Sequence, residues 1–231
     1  MASPVSRRMI DTAGTPGGRW TPHRLWAILR REGMLGVRSR ALALLGWRSY
    51  ILYVRSLEAA AGVVAAVPVE IDELRAEHVG DYLAFRPGPA AGFLDRLRAG
   101  HACFAARHDG RIVAATWVAR GGTRVEPLDR DFLPASDEIY LFDSFAAAEH
   151  RGQRLFPAVF EVIAARYRAR GYRRAVTLIA PYNHASSRSR ERSGFRRVGT
   201  VRSWSRGPIR TSDFVPERFA AQAHAGRPSP S

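Results

Sequence analysis

The chain has 231 residues and a formal net charge of +15, from 36 basic and 21 acidic side chains. That length fits one domain with a modest appendage, and a content of 46% hydrophobic and 25% charged residues excludes a disordered or collagen-like chain. A single cysteine, Cys103, excludes an internal disulfide framework and a cysteine-built zinc site, which points to a reducing, cytoplasmic setting. The first ten residues lack a signal-peptide apolar core. The longest apolar run, Ala59 to Val69, is broken by Gly62 and Pro68 and is too short to span a membrane.

In chain order, residues 1–19 are polar and rich in Gly and Pro and read as a flexible arm. Residues 20–57 read as a basic helical extension. Thr21 and Pro22 open a first helix that runs to Gly33, and Met34 to Leu45 form a second that stops at Gly46. Its arginines suit an anionic membrane surface as a peripheral contact, although packing on its own domain is the favoured reading. The β-rich run Tyr50 to Val54 adds a strand to that extension.

The main domain, residues 58–210, starts with a short strand at Val67 to Ile71 and helices at Asp72 to Phe85 and Phe93 to Arg98. Two strands, His101 to Arg107 and Arg111 to Ala119, flank the hairpin signal Asp109-Gly110. Gly121 to Ser136 reads as a loop. A strand at Ile139 to Phe145, a helix at Gly152 to Arg170, a strand at Ala175 to Ala180, a helix at Asn183 to Ser193 and a strand at Val198 to Trp204 follow. Such a strand-helix-strand crossover calls for a parallel or mixed sheet. Residues 211–231 read as a polar tail.

Every basic residue is arginine, and the charge is uneven: +8 over residues 1–57, −5 over 58–146, +12 over 147–210 and zero beyond. A polyanion beside the basic half and a cation beside the acidic segment (Glu126, Asp129, Asp131, Asp137, Glu138) would suit that split. Base composition alone also makes a chain basic. The arginines are dispersed, with no recognisable nucleic-acid motif, so nucleic acid is not an expected partner. The seven histidines show no metal-ligand spacing, and no metal is expected.

The sharpest local feature is Glu149-His150-Arg151-Gly152-Gln153-Arg154-Leu155-Phe156-Pro157, between a strong strand and an amphipathic helix. A helix start offers free N–H groups and the positive end of the macrodipole; two arginines add charge and Gly152 permits close backbone approach. This is a cradle for a diphosphate. From 31 residues after Gly152 come Asn183, Ser186 and Arg190 on a short polar helix that ends in Ser-Gly-Phe-Arg-Arg-Val.

These two segments, in their order and spacing, resemble motifs A and B of the GNAT superfamily of acyl-CoA-dependent N-acyltransferases, over roughly Val67 to Arg206. The resemblance implies an α/β (α+β) fold with a central mixed, mostly antiparallel sheet flanked by helices, here with an N-terminal helical extension. It implies a CoA thioester, most simply acetyl-CoA, as acyl donor and a primary amine as acceptor. The backbone of Phe145, Ala146 and Ala147 would then pair with the pantetheine arm, and the amides of Arg151, Gly152, Gln153, Arg154, Leu155 and Phe156 would hold the pyrophosphate. Asn183 would cap its helix, touch the donor, or both, with Ser186 and Arg190 beside the donor's path.

The chain departs from the family pattern at three positions. Arg154 and Phe156 stand where Gly or Ala is usual, and Arg190 stands where many members carry a Tyr that protonates the leaving thiolate. A catalytically silent acyl-CoA sensor is therefore the alternative reading. Aminolysis also needs a neutral amine and a proton acceptor. Asp143, on the motif A strand, is the first candidate base and Glu138 the second; a hydrogen-bonded strand role for Asp143 is the alternative. Strict alternation puts Tyr140 and Ser144 on the face opposite Asp143. Cys103, in an alternating strand, reads as a small buried apolar group.

Overall fold

The computed structural model describes residues 30, 33–39, 41–43, 45–58, 62–125, 128, 130–204 and 209–212. The arm over 1–19, most of the first helix expected from Thr21 and the tail beyond residue 212 lie outside the described residues; Thr211 and Ser212, expected in that tail, are strand instead. A first helix, α1, covers residues 33–39 and 41–43, and the chain turns at Gly46, whose φ of 85° is open to glycine. Then come β1 (Trp47–Ser56), β2 (Glu70–Leu74), α2 (Val79–Phe85), α3 (Ala90–Arg98), β3 (Ala102–His108) and β4 (Arg111–Ala119). The second half holds β5 (Thr123–Val125), β6 (Arg130–Phe132), β7 (Glu138–Ala146), α4 (Leu155–Arg168), β8 (Arg174–Ile179), α5 (His184–Arg192), β9 (Arg196–Trp204) and β10 (Ile209–Ser212).

Eight strands form one sheet in the order β10-β9-β1-β8-β7-β4-β3-β2. The pairing is antiparallel everywhere except between β7 and β8. The β3–β4 hairpin closes through Asp109 (φ 49°) and Gly110 (φ 73°), and two positive φ values in a two-residue turn match the sheet twist. Alternation along β3 sends Phe104 and Ala106 to one face and Cys103 and Ala105 to the other. The first face is covered by α4 through Leu155, Val159, Phe160, Ile163 and Tyr167. The second is covered by α2 and α3 through Tyr82 and Phe93, and further along by the β5–β6 ribbon through Val125 and Phe132.

Three expectations need correction. Asp72 to His78 is not the start of a helix: Asp72 and Glu73 pair with Ala105 and Phe104 as the edge of the sheet, a short 3-10 turn follows, and helix begins only at Val79. Gly121 to Ser136 is not all loop, since Thr123–Val125 pairs with Arg130–Phe132. The helix expected from Gly152 begins at Leu155.

Strand β1 belongs to the centre of the sheet, bonded on one edge to β8 and on the other to β9. The sheet therefore begins at Trp47, inside the segment read as an extension. Leu52 faces one core and Tyr53 the other, both fully buried. Arg55 is buried with Nη2 at 3.0 Å from Glu161 of α4, and the Tyr53 hydroxyl donates to Glu191 of α5 at 3.1 Å. One strand thus ties both helices of that face to the sheet. A chain starting at Glu58 is expected to lose its cooperative thermal transition by circular dichroism, because β8 and β9 lose their common partner. In the full chain, Leu52→Ala is expected to cost about 2–5 kcal/mol in denaturant unfolding.

Candidate functional site

Parallel pairing of β7 with β8 runs from Glu138 opposite Arg174 to Leu141 opposite Thr177 and stops there. Beyond it the strands part, while β7 stays bonded to β4. On that side two steps of β4, Ala115 to Trp117, stand against three of β7, Phe145 to Phe142. The extra residue makes a bulge. Asp143, with φ 47°, takes the left-handed conformation that such a bulge needs and that a non-glycine residue adopts at a cost.

Two charge-assisted bonds offset that cost. Asp143 Oδ1 lies 2.6 Å from Nη2 of Arg86, at the end of α2, and Oδ2 lies 2.6 Å from Nη1 of Arg96 on α3. Arg96 in turn rests over the rings of Trp117 and Phe142, and Arg86 over Phe145. Both carboxylate oxygens are therefore engaged, so the structure does not leave Asp143 free as a base. Glu138 is no better placed. It sits at the other end of β7, five residues or about 17 Å before Asp143 at strand rise, buried, and accepts from Ala135 N–H and Arg174 Nε.

The bulge also corrects the facing of β7. Tyr140 and Phe142 face the side of α2, α3 and the ribbon, and Asp143, one residue later, faces that side too. Ser144 turns the other way, where its Oγ accepts from Arg190 Nη2 of α5 at 2.8 Å. Phe145 returns to the α2 side against Phe85. Ala147 N–H donates to the Val113 carbonyl at 2.9 Å; by alternation the N–H and C=O of Ala146 point to the edge that β8 has left.

After β7 the chain makes a 3-10 turn over Ala148–His150, passes Gly152 at φ 84°, and enters α4 through Arg154 at φ 57°. Among the described residues, no acceptor meets the N–H groups of Gly152, Gln153, Arg154, Leu155 and Phe156, and no side chain caps the helix. A Cβ built on Gly152 would meet nothing within 4 Å, so the turn is open outward. The turn is fixed from behind: Gln153 C=O accepts from Ala66 N–H at 2.9 Å, and its side chain meets His150 Nδ1 at 3.0 Å. Leu155 is buried, and Phe156 packs on Phe160 and Phe195.

Across the gap, α5 starts at Asn183, whose Oδ1 accepts from Ser186 N–H at 3.2 Å, an ordinary cap. Arg190 fills the space between α5 and β7. It is 5% exposed, its Cζ stands 3.2 Å from the Phe156 ring centroid, and burial lowers its pKa to about 9. Arg190 thus joins α5 to β7 at Ser144 and to the start of α4 at Phe156, beside the backbone of residues 145–147 and 151–156, while Asn183 and Ser186 stand at the first turn of α5 and Glu138 at the far end of β7. Arg86 and Arg96, unread in the sequence, belong to its border; no spacing signal links them to Asp143.

Away from this gap, Cys103 is wholly buried, and burial raises its thiol pKa well above the ordinary range. Asp131 pairs with Arg124, and Asp137 and Glu138 pair with Arg174. The acidic segment is therefore largely neutralised where it is described; Glu126 and Asp129 lie outside the described residues. An open concavity of about 400 Å³, bordered by Glu73, Arg75, His101, Arg120, Tyr167 and Arg170, lies at the other end of α4. It holds none of the expected site residues. Among the described residues no cluster of His, Cys, Asp or Glu could hold a metal, and no helix is long and apolar enough to cross a membrane.

No protein-family model matches the chain, and no curated protein matches it. Solved structures do. An acetyltransferase of the GNAT family from Colwellia psychrerythraea aligns at 14% identity over 73% of this chain and 61% of its own length, with a TM-score of 0.50. An N-acetyltransferase from Staphylococcus aureus aligns at 18% over 56% of this chain and 84% of that one (TM-score 0.43). An aminoglycoside N-acetyltransferase in complex with CoA aligns at 18% over 55% and 91% (TM-score 0.46). The chain has the GNAT fold. At such identities the likeness speaks for the fold and not for a substrate.

Arg154, where the resemblance expects glycine or alanine, enters α4 in a left-handed conformation. Arg154→Gly is expected to stabilise the chain by about 0.5–1 kcal/mol, because relief of left-handed strain outweighs the added freedom of the unfolded glycine. A denaturant midpoint that falls instead would show that the arginine side chain holds the turn.

Proposed function

We propose that this chain is an acyl-CoA-dependent N-acyltransferase that moves an acyl group, most simply acetyl, to a primary amine by direct attack in a ternary complex. The observation that carries this reading is the set of five unpaired amides at residues 152–156, opening beside the edge of β7 that β8 has left. Successive free N–H groups at the positive end of a 14-residue helix bind a diphosphate. Arg151 and Arg154 add charge. The donor's pantetheine arm then follows the free edge of β7 and pairs with the backbone of Ala146, its thioester carbonyl directed at that strand.

The amine approaches from the α2–α3 face, bordered by Phe85, Phe142 and Phe145. It attacks as the neutral base, and the carbonyl oxygen's developing charge is met by strand amides. With Asp143 bound to two guanidinium groups, its part is to hold the bulge and so the direction of the strand edge. The amine's proton leaves through another acceptor, solvent included. With Asp131, Asp137 and Glu138 paired to arginines, the case for a cationic acceptor is weakened.

A second reading, an acyl-CoA sensor without turnover, is favoured by one observation: the Arg190–Ser144 bond spans the gap that the thioester has to enter. Calorimetry with CoA and the full chain tests the shared part. Binding is expected, and Arg151→Ala combined with Gly152→Val is expected to weaken it at least about tenfold, the worth of one charge-assisted bond. Equal affinity of that variant would refute the site. CoA release from acetyl-CoA over a panel of amines then separates the readings: turnover supports the transferase, and binding without release the sensor.

A further inference from the structure

Arg190 is a buried cation without an anion. Its Nη2 donates to the Ser144 hydroxyl, its face lies on Phe156, its Nε is buried with no partner, and no carboxylate among the described residues pairs with it. Neutral neighbours do not replace the water that a guanidinium gives up. Its neighbours otherwise are the first turn of α4 and the strand edge at Ser144, next to the backbone of Phe145 and Ala146. An anion arriving in this gap would complete the arrangement.

Resting on the transferase reading above, we propose that Arg190 stabilises by charge the thiolate that leaves the acyl donor. The two faces of the sheet decide which anion it is. The acceptor side is bordered by α2 and α3, whereas Arg190 comes from α5 and meets β7 at Ser144, on the opposite side. When the amine attacks, the C–N bond forms and the C–S bond breaks, and the electron pair of that bond stays on sulfur. The surplus proton of the nitrogen goes to solvent, and the sulfur becomes anionic on the side where Arg190 lies. Ser144 accepts one N–H and sets the guanidinium's orientation, which leaves the Nε–H for the sulfur. The guanidinium keeps its proton throughout, so no side chain has to act as an acid toward the leaving group.

The test uses the full chain and CoA itself, following thiolate absorbance in the ultraviolet as pH is raised, beside free CoA. The bound thiol is expected to ionise at least about one pH unit below the free one, equivalent to about tenfold tighter binding of thiolate than of thiol. Arg190→Gln should abolish that shift and Arg190→Lys should retain most of it. A purely structural role for Arg190 would not move the ionisation of a ligand. Bound CoA whose thiol ionises as in free solution, or a shift that survives in Arg190→Gln, overturns the proposal and leaves donor binding intact. Failure of the unaltered chain to bind CoA overturns the transferase reading with it. If Arg190→Gln does not fold, the wild-type shift still decides, and Arg190→Lys provides the comparison.

Discussion

Two guanidinium groups hold Asp143 in a backbone conformation that an aspartate would otherwise leave. A left-handed non-glycine residue costs about 1–2 kcal/mol, and each charge-assisted bond to a partly buried carboxylate returns about 1.5–3 kcal/mol, so the clamp wins. Its consequences run through the site. The bulge at Asp143 turns Ser144 toward α5 and Phe145 toward α2, and lets β7 follow β4 where β8 no longer pairs with it. Arg86 and Arg96 come from two different helices, so the same clamp ties α2 and α3 to the strand that borders the gap. A general base in this position would have to give up the bonds that shape the site.

Much of the architecture was legible because it depends on local chemistry. The Asp109-Gly110 turn, the alternation of β3, the apolar stripe of α4 and the Asn183 cap each need only a few neighbouring residues. What could not be read depends on distant partners. Asp72 to His78 has helical spacing, but Asp72 and Glu73 find strand hydrogen bonds on β3. The bulge follows from Arg86 and Arg96, 57 and 47 residues away from the carboxylate they hold, and without it alternation places Tyr140 opposite Asp143, whereas the two face the same side. The central place of β1 was equally hidden, since a β-rich run shows that a strand exists and not which edges it will join.

The motif A turn shows what a residue pattern records and what it omits. At Arg154, where the resembled pattern has glycine or alanine, the chain enters the helix left-handed, at a φ of 57°. At the position of Phe156 the small residue of the family pattern is replaced by a ring, and that ring has become a floor: it packs on Phe160 and Phe195 beneath the Arg190 guanidinium. These two departures are therefore of different kinds. Arg154 leaves its own amide and those beside it without acceptors, and Phe156 turns inward.

In the middle of the chain arginines and acids largely cancel: Arg86 and Arg96 on Asp143, Arg107 on Asp72 and Asp81, Arg124 on Asp131, and Arg174 on Asp137 and Glu138. Around the gap they do not. Arg151, Arg154, Arg188, Arg190 and Arg192 have no carboxylate partner among the described residues, and all lie on the motif A turn or on α5. Arg75, Arg111, Arg120, Arg168 and Arg170 also lack a carboxylate partner among the described residues, so unpaired arginines are not confined to this gap. Backbone amides without acceptors and guanidinium groups without carboxylates are independent deficits of the folded chain, and one polyanion laid along the turn toward α5 would satisfy both.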